Sequence, residues 1–87
     1  MKIKENFMLR KVADSYVVVP VGSAVASFND MINLNEAGAF LWQLLENDTT
    51  EAEVVKNMLE HYDVSEELAK TDVEKFIAQL RDAELLD

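Results

Sequence analysis

The side chains able to carry covalent or metal chemistry are few and scattered along this sequence of 87 residues. His61 is the sole histidine. It has no second ligand at metal spacing, and a cation near a helix C-terminus complements the helix dipole. Cysteine is absent, which excludes disulfides, thiolate nucleophiles and Cys-ligated metals. Glu51 and Glu53 open a helical segment and suit its start better than an acid/base pair. The small-residue run Val21-Gly22-Ser23-Ala24 has one Gly, no Lys-Ser/Thr ending and no helix directly after it, so it is not a phosphate loop. Catalytic residues, metal ligands and cofactor sites are therefore expected to be absent. The chemistry left is non-covalent, and it centres on Met31-Ile32-Asn33-Leu34, a short strand that runs into a capped helix. A strand at a sheet edge offers unpaired N–H and C=O groups to another chain.

The elements that position this segment follow from periodicity. Phe7 to Val12 is expected as a first strand and Tyr16 to Val21 as a second, joined by Ala13-Asp14-Ser15 as a tight turn. Both faces of the second strand are apolar, since Tyr16 and Val18 alternate with Val17 and Val19. Its second face is therefore expected to be covered in part by the long loop, a partner or a second copy. Pro20 fits only at a strand end or edge. Residues 21–27 are expected to be a plain connection to a third strand, Phe28 to Leu34. Asn35 then caps a helix over about Glu36 to Leu45, with Ala37, Phe40, Leu41, Leu44 and Leu45 as one buried face. Trp42 lies off the centre of that stripe, which predicts partial burial. Gly38 within the helix costs roughly 1 kcal/mol against Ala, which suggests that another backbone approaches there.

A second helix starts after Thr50, where Thr50-Glu51-Ala52-Glu53 forms a capping box, with Val54, Val55, Met58, Leu59 and Tyr62 buried. A third follows Ser65 and runs to about Ala83, with Glu66 and Glu67 at the positive end of its dipole and Ala69, Val73, Phe76, Ile77 and Leu80 as its stripe. Leu85-Leu86 should pack back onto the core. The expected class is α+β: a three-stranded antiparallel sheet followed by three helices, a winged helix-turn-helix-like arrangement. The length suits one small domain over residues 1–87.

Charge divides the chain in two. Residues 1–45 balance four cations against four acids, whereas residues 46–87 hold four cations against thirteen acids and carry the entire formal net charge of −9. Such a field repels nucleic acid and anionic membranes. The acids are read first as solvating the helices, with a steering field for a basic partner as the sharper alternative. The charged N-terminus leads into no long apolar run, so it is not a secretory signal, and Tyr16 to Val21 is too short to span a bilayer. These features fit a soluble cytoplasmic protein.

Residue order now makes a resemblance specific. Leu9-Arg10, Val17-Val18-Val19-Pro20 and Ile32-Asn33-Leu34-Asn35-Glu36-Ala37-Gly38-Ala39 leading into Phe40-Leu41-Trp42 resemble the PqqD-like family, also called RiPP recognition elements. The likeness continues through Tyr62-Asp63-Val64 and Phe76-Ile77-Ala78-Gln79-Leu80. The Leu-Asn-Glu-x-Gly-Ala segment is its most distinctive part. The chain departs from the family in its turn, which lacks the usual Gly.

The resemblance implies a winged-helix-like fold without catalysis or a cofactor. It implies a domain that captures the leader of a ribosomally made precursor peptide and presents it to a modifying enzyme, often a radical S-adenosylmethionine protein. The leader would add as a strand beside Met31, Ile32, Asn33 and Leu34, in a groove walled by the third helix. Lys70, Val73, Ile77 and Arg81 are the candidate wall residues. Phe76 and Leu80, central on the stripe, are expected in the core. Residue parity stays open at this point: either Met31 and Asn33, or Ile32 and Leu34, turn their backbone groups outward.

Three other readings compete. A winged-helix DNA-binding regulator would use the third helix for recognition, yet Glu66 to Asp82 holds five acids against three cations, the wrong sign for phosphate contacts. An assembly adaptor would bind only the modifying enzyme. An acyl carrier is suggested by Asp14-Ser15, but the carrier serine opens a helix and Ser15 leads into a strand. A strand-exchanged homodimer is a further expectation from the two-sided second strand.

Overall fold

The computed structural model describes residues 1–26 and 31–87. Strands β1 (Phe7–Val12), β2 (Ser15–Pro20) and β3 (Ile32–Leu34) precede helices α1 (Glu36–Leu45), α2 (Glu51–His61) and α3 (Glu66–Asp82). The sheet is an antiparallel meander in the order β1-β2-β3. Its register pairs Leu9 with Val18 and Val18 with Ile32. This is the expected α+β arrangement of three strands followed by three helices.

Several expected boundaries move. β2 begins at Ser15, which leaves Ala13 and Asp14 as a two-residue turn. Ala13 has φ +55, the left-handed conformation that Gly adopts without steric cost. The expected plain connection contains a 3-10 helix, Gly22–Ala26. Among the described residues the third strand covers Ile32–Leu34 and Met31 is not in the ladder; the expected start at Phe28 lies outside the described residues.

One apolar cluster joins the layers. Val18 of β2, Trp42 and Leu45 of α1, Val54 of α2, Val73 and Leu80 of α3, and Leu85 are almost fully buried. Burying each such side chain stabilises the fold by roughly 1.5–3 kcal/mol. The α3 stripe matches its expected positions residue for residue. The α1 stripe does not: Gly38, Ala39, Leu41, Trp42 and Leu45 are buried, while Phe40 packs half-buried against the rings of His61 and Tyr62 at 4.8 and 5.4 Å. The helix is apolar on most sides, so phase alone does not fix its rotation. Trp42 takes the interior because it has the largest surface to remove from water. Its indole N–H has no hydrogen-bond partner among the described residues.

Each helix starts on a side-chain cap. Asn35 accepts from the Gly38 N–H at 2.8 Å, Thr50 from Glu53 at 3.2 Å and Ser65 from Leu68 at 3.1 Å. The tail packs back as expected: Leu85 is buried and Leu86 bridges Ile3. Backbone bonds from Lys4 to Leu85 and from Asp87 to Lys2, both 2.8 Å, close the chain ends together.

At Gly38 the close neighbours are side chains and not the expected second backbone. A Cβ there would lie 3.3 Å from Asn35 Oδ1 and 3.3 Å from Leu34 Cβ. Neither neighbour is free to retreat, because one is the cap and the other is attached to β3. Gly38→Ala should therefore forfeit the roughly 1 kcal/mol that Ala normally gains inside a helix. Thermal unfolding should show no rise in Tm; a clear rise would mean that the junction yields.

Candidate functional site

Among the described residues β2 is flanked on both sides, so β1 and β3 are the outer strands of the sheet. Which residues of β3 face outward follows from one hydrogen bond. The Val21 N–H donates to Asn6 C=O at 2.8 Å. That pair continues the β1–β2 register, in which Phe7 opposes Pro20. Hydrogen-bonded and non-hydrogen-bonded pairs alternate along an antiparallel ladder. Val19 and Val17 therefore turn their backbone groups to β1, and Val18 and Tyr16 turn theirs to β3. The partners of these two are Ile32 and Leu34, whereas Asn33 sits opposite Val17. Asn33 thus directs its N–H and C=O to the open edge, and Met31 shares its parity. Pro20 is the sequence signal for this phase, because its missing donor falls on the β3 side, outside the β1 ladder.

Beside this edge lies a groove of about 310 Å³. β3 and the cap supply Asn33, Leu34 and Asn35, and α1 supplies Ala37, Gly38 and Leu41. α2 adds Met58, and α3 forms the far wall with Asp72, Lys75, Phe76 and Gln79. These four recur at i, i+3, i+4 and i+7, one flank of the helix. Leu41, Met58, Phe76 and Leu34 present only their edges, being 3%, 3%, 7% and 8% exposed. The groove is therefore a narrow apolar floor under a polar rim. Asp72 and Lys75 put one charge of each sign on that rim.

The structure brings Met31, Ile32, Asn33 and Leu34 to the edge but not the expected wall. Met31 is 65% exposed, and Leu34 faces the core. Val73 and Ile77 are 0% and 4% exposed and pack inside the domain. Lys70 lies on the opposite flank of α3, in the cleft against α2. Arg81, eleven residues on, is in helical phase with Lys70 and is absent from the groove lining. Phe76 is buried as expected, yet its exposed edge lines the groove, whereas Ile77, expected at the wall, is buried away from it. The stripe identifies the buried face of α3, but the choice of flank depends on how the helix crosses the sheet. Asp72, Lys75 and Gln79 carried no signal of their own in the sequence.

An outer strand flanked by a helix groove, on three strands and three helices, defines a winged-helix-like fold. The chain belongs to the PqqD family: the family model for coenzyme PQQ synthesis protein D (PqqD) matches residues 15–86. Among solved structures it is similar to TbiB1 in complex with the TbiA(beta) leader peptide, with a TM-score of 0.79 and 24% identity over 100% of this chain and 95% of that one. It is also similar to lasso peptide synthetase B1 complexed with the leader peptide, with a TM-score of 0.73 and 17% identity over 97% and 93% of the two chains. A comparison with curated proteins finds no match. Among the described residues, no helix is long and apolar enough to cross a membrane.

The parity of the edge has a direct signature in amide hydrogen exchange. Ile32 and Leu34 should be protected by β2, while Asn33 between them exchanges fast in the free protein. Protection at Asn33 with fast exchange at both neighbours would reverse the assignment.

Proposed function

We propose that this chain is a non-catalytic adaptor that captures the leader of a ribosomally synthesised precursor peptide as an added strand beside β3. The observation that carries the reading is the outward parity of Asn33 beside the Asp72–Gln79 flank of α3. Family membership and the leader complexes of the two similar structures support it. The residues 1–87 act as one cytoplasmic binding unit. The modifying enzyme that receives the peptide is a radical S-adenosylmethionine protein, as the family resemblance implies.

Magnitudes divide the work between backbone and side chains. Outward groups at Met31 and Asn33 allow about four main-chain hydrogen bonds, each worth roughly 0.5–1.5 kcal/mol net. Ordering a flexible leader costs about 2–5 kcal/mol, which can cancel that gain. Net affinity must then come from a side chain anchored over Leu34 and Phe76, with polar neighbours satisfied by Asp72, Lys75 and Gln79. Strand addition gives affinity through the backbone and specificity through such pockets.

The DNA-binding reading is disfavoured by the acidic composition of α3. An assembly role without leader binding, or a homodimer, is favoured by a different surface. Met8 and Val12 on the outer face of the sheet are 46% and 56% exposed, and Val19 lies beside Met8 in the register.

The test is an amide-shift titration with synthetic candidate leader peptides. Shifts should concentrate at 31–34 and 72–79, and Asn33 should become protected from exchange. Asn33→Pro removes the outward N–H and should weaken binding about tenfold with the fold intact. Ile32→Pro should lower Tm instead, because its N–H serves β2. Silence at 31–34 and 72–79 on saturation with the leader would sink the reading.

A further inference from the structure

A cleft larger than the edge groove lies on the other side of α3. Between the exposed flanks of α2 and α3 runs a groove of about 700 Å³. Its floor is apolar, with Ala52, Val55 and Leu59 lying along α2 at roughly one-turn spacing. Its rim is charged: Glu51, Lys56 and Glu60 on one side, and Glu66, Lys70 and Glu74 on the other. Lys70 already pairs with Glu66 at 3.5 Å. Among the described residues, Glu51, Glu60 and Glu74 have no salt-bridge partner, and Lys56 is the one cation left beside them.

These acids are not explained by the helices that carry them. Glu51 suits the first turn of α2, but Glu60 sits in the last turn, where the dipole disfavours a negative charge. Glu74 lies in the interior of α3, away from either end. An apolar floor between unpaired acids is complementary to an apolar stripe bordered by cations. From Glu51 to Glu60 the floor runs about 14 Å along α2 at 1.5 Å per residue, the length of two to three helical turns. Among the described residues no helix of this chain can supply such an occupant to a second copy, because α1, α2 and α3 each carry more acids than Lys and Arg residues together.

We propose that the α2–α3 groove docks a basic amphipathic helix of a second protein, its apolar stripe on Val55 and Leu59 and its Lys or Arg side chains against Glu60 and Glu74. Helix-in-groove docking uses apolar anchors at i, i+3, i+4 and i+7, and the surrounding −9 field speeds the encounter with a cation-rich segment. α3 then serves two clients at once, with Asp72, Lys75 and Gln79 on the peptide flank and Glu66, Lys70 and Glu74 on the docking flank. The docking stands on this groove alone and does not depend on the function proposed above.

The probe is a synthetic Leu/Lys peptide about 18 residues long, long enough to be helical when docked, with leucines at helical spacing. A scrambled peptide of identical composition is the control, and both are titrated into the full isotope-labelled chain at physiological ionic strength. The expected result is saturable shifts at 51–60 and 66–74, with 31–34 silent, and much weaker binding of the scramble. Neutralising the rim in Glu60→Gln/Glu74→Gln should weaken the ordered peptide about tenfold. Leu59→Gln should weaken it as well, with folding of both variants checked by circular dichroism. Equal binding of ordered and scrambled peptides, shifts spread over all acidic surfaces, or no binding overturns the proposal. A leader titration is read at 31–34 and the docking at 51–60, which do not overlap, so failure of the leader reading would be seen separately.

Discussion

The junction at Leu34, Asn35 and Gly38 ties the sheet to the helices. Asn35 satisfies the first orphan donor of α1 through Gly38, and the Leu34 side chain packs where Gly38 has no Cβ. Those contacts fix where β3 stops and how α1 departs. Because side chains and backbone groups alternate along a strand, fixing Leu34 toward the core also fixes Asn33 toward the open edge. A slip of one residue would move Leu34 to solvent and turn the other backbone set outward. The orientation of the binding edge is thus inherited from a packing contact inside the domain.

α3 is the second constraint. Its core stripe is nearly dry, with Ala69, Val73 and Leu80 fully buried, so the helix cannot rotate to serve either flank at the other's expense. One flank completes the edge groove and the other completes the cleft with α2. A helix locked in this way holds two surfaces in fixed relation without touching both ligands through any shared side chain. Physical separation of the flanks lets composition differ: mixed charge beside β3, predominantly acidic beside α2.

Much of this was legible from residue order. The α3 stripe needs only the helical period, and the caps at Asn35, Thr50 and Ser65 need only local chemistry. α1 was less readable, because Phe40, Trp42 and Leu44 make it apolar on several sides and only the packed core decides which ring goes inside. The flank of α3 that lines the groove is not legible in the sequence for a related reason. Sequence marks Val73, Phe76 and Ile77 as one buried face, but which margin faces β3 depends on the crossing of helix and sheet, a tertiary property. Pro20 held a clue to edge parity that becomes usable only when its register with Phe7 is known.

The closure of the chain ends has a consequence of its own. Ile3 bridges Leu86 and the Asp87 N–H reaches the Lys2 carbonyl, so the backbone enters and leaves the fold at nearly one point. A unit built this way can be spliced into a surface loop of a larger protein with short joints on both sides. The entry point is separate from Asn33 and from the α2–α3 cleft, so the host would carry both surfaces facing outward. Portability as an inserted module is therefore built into the backbone path itself.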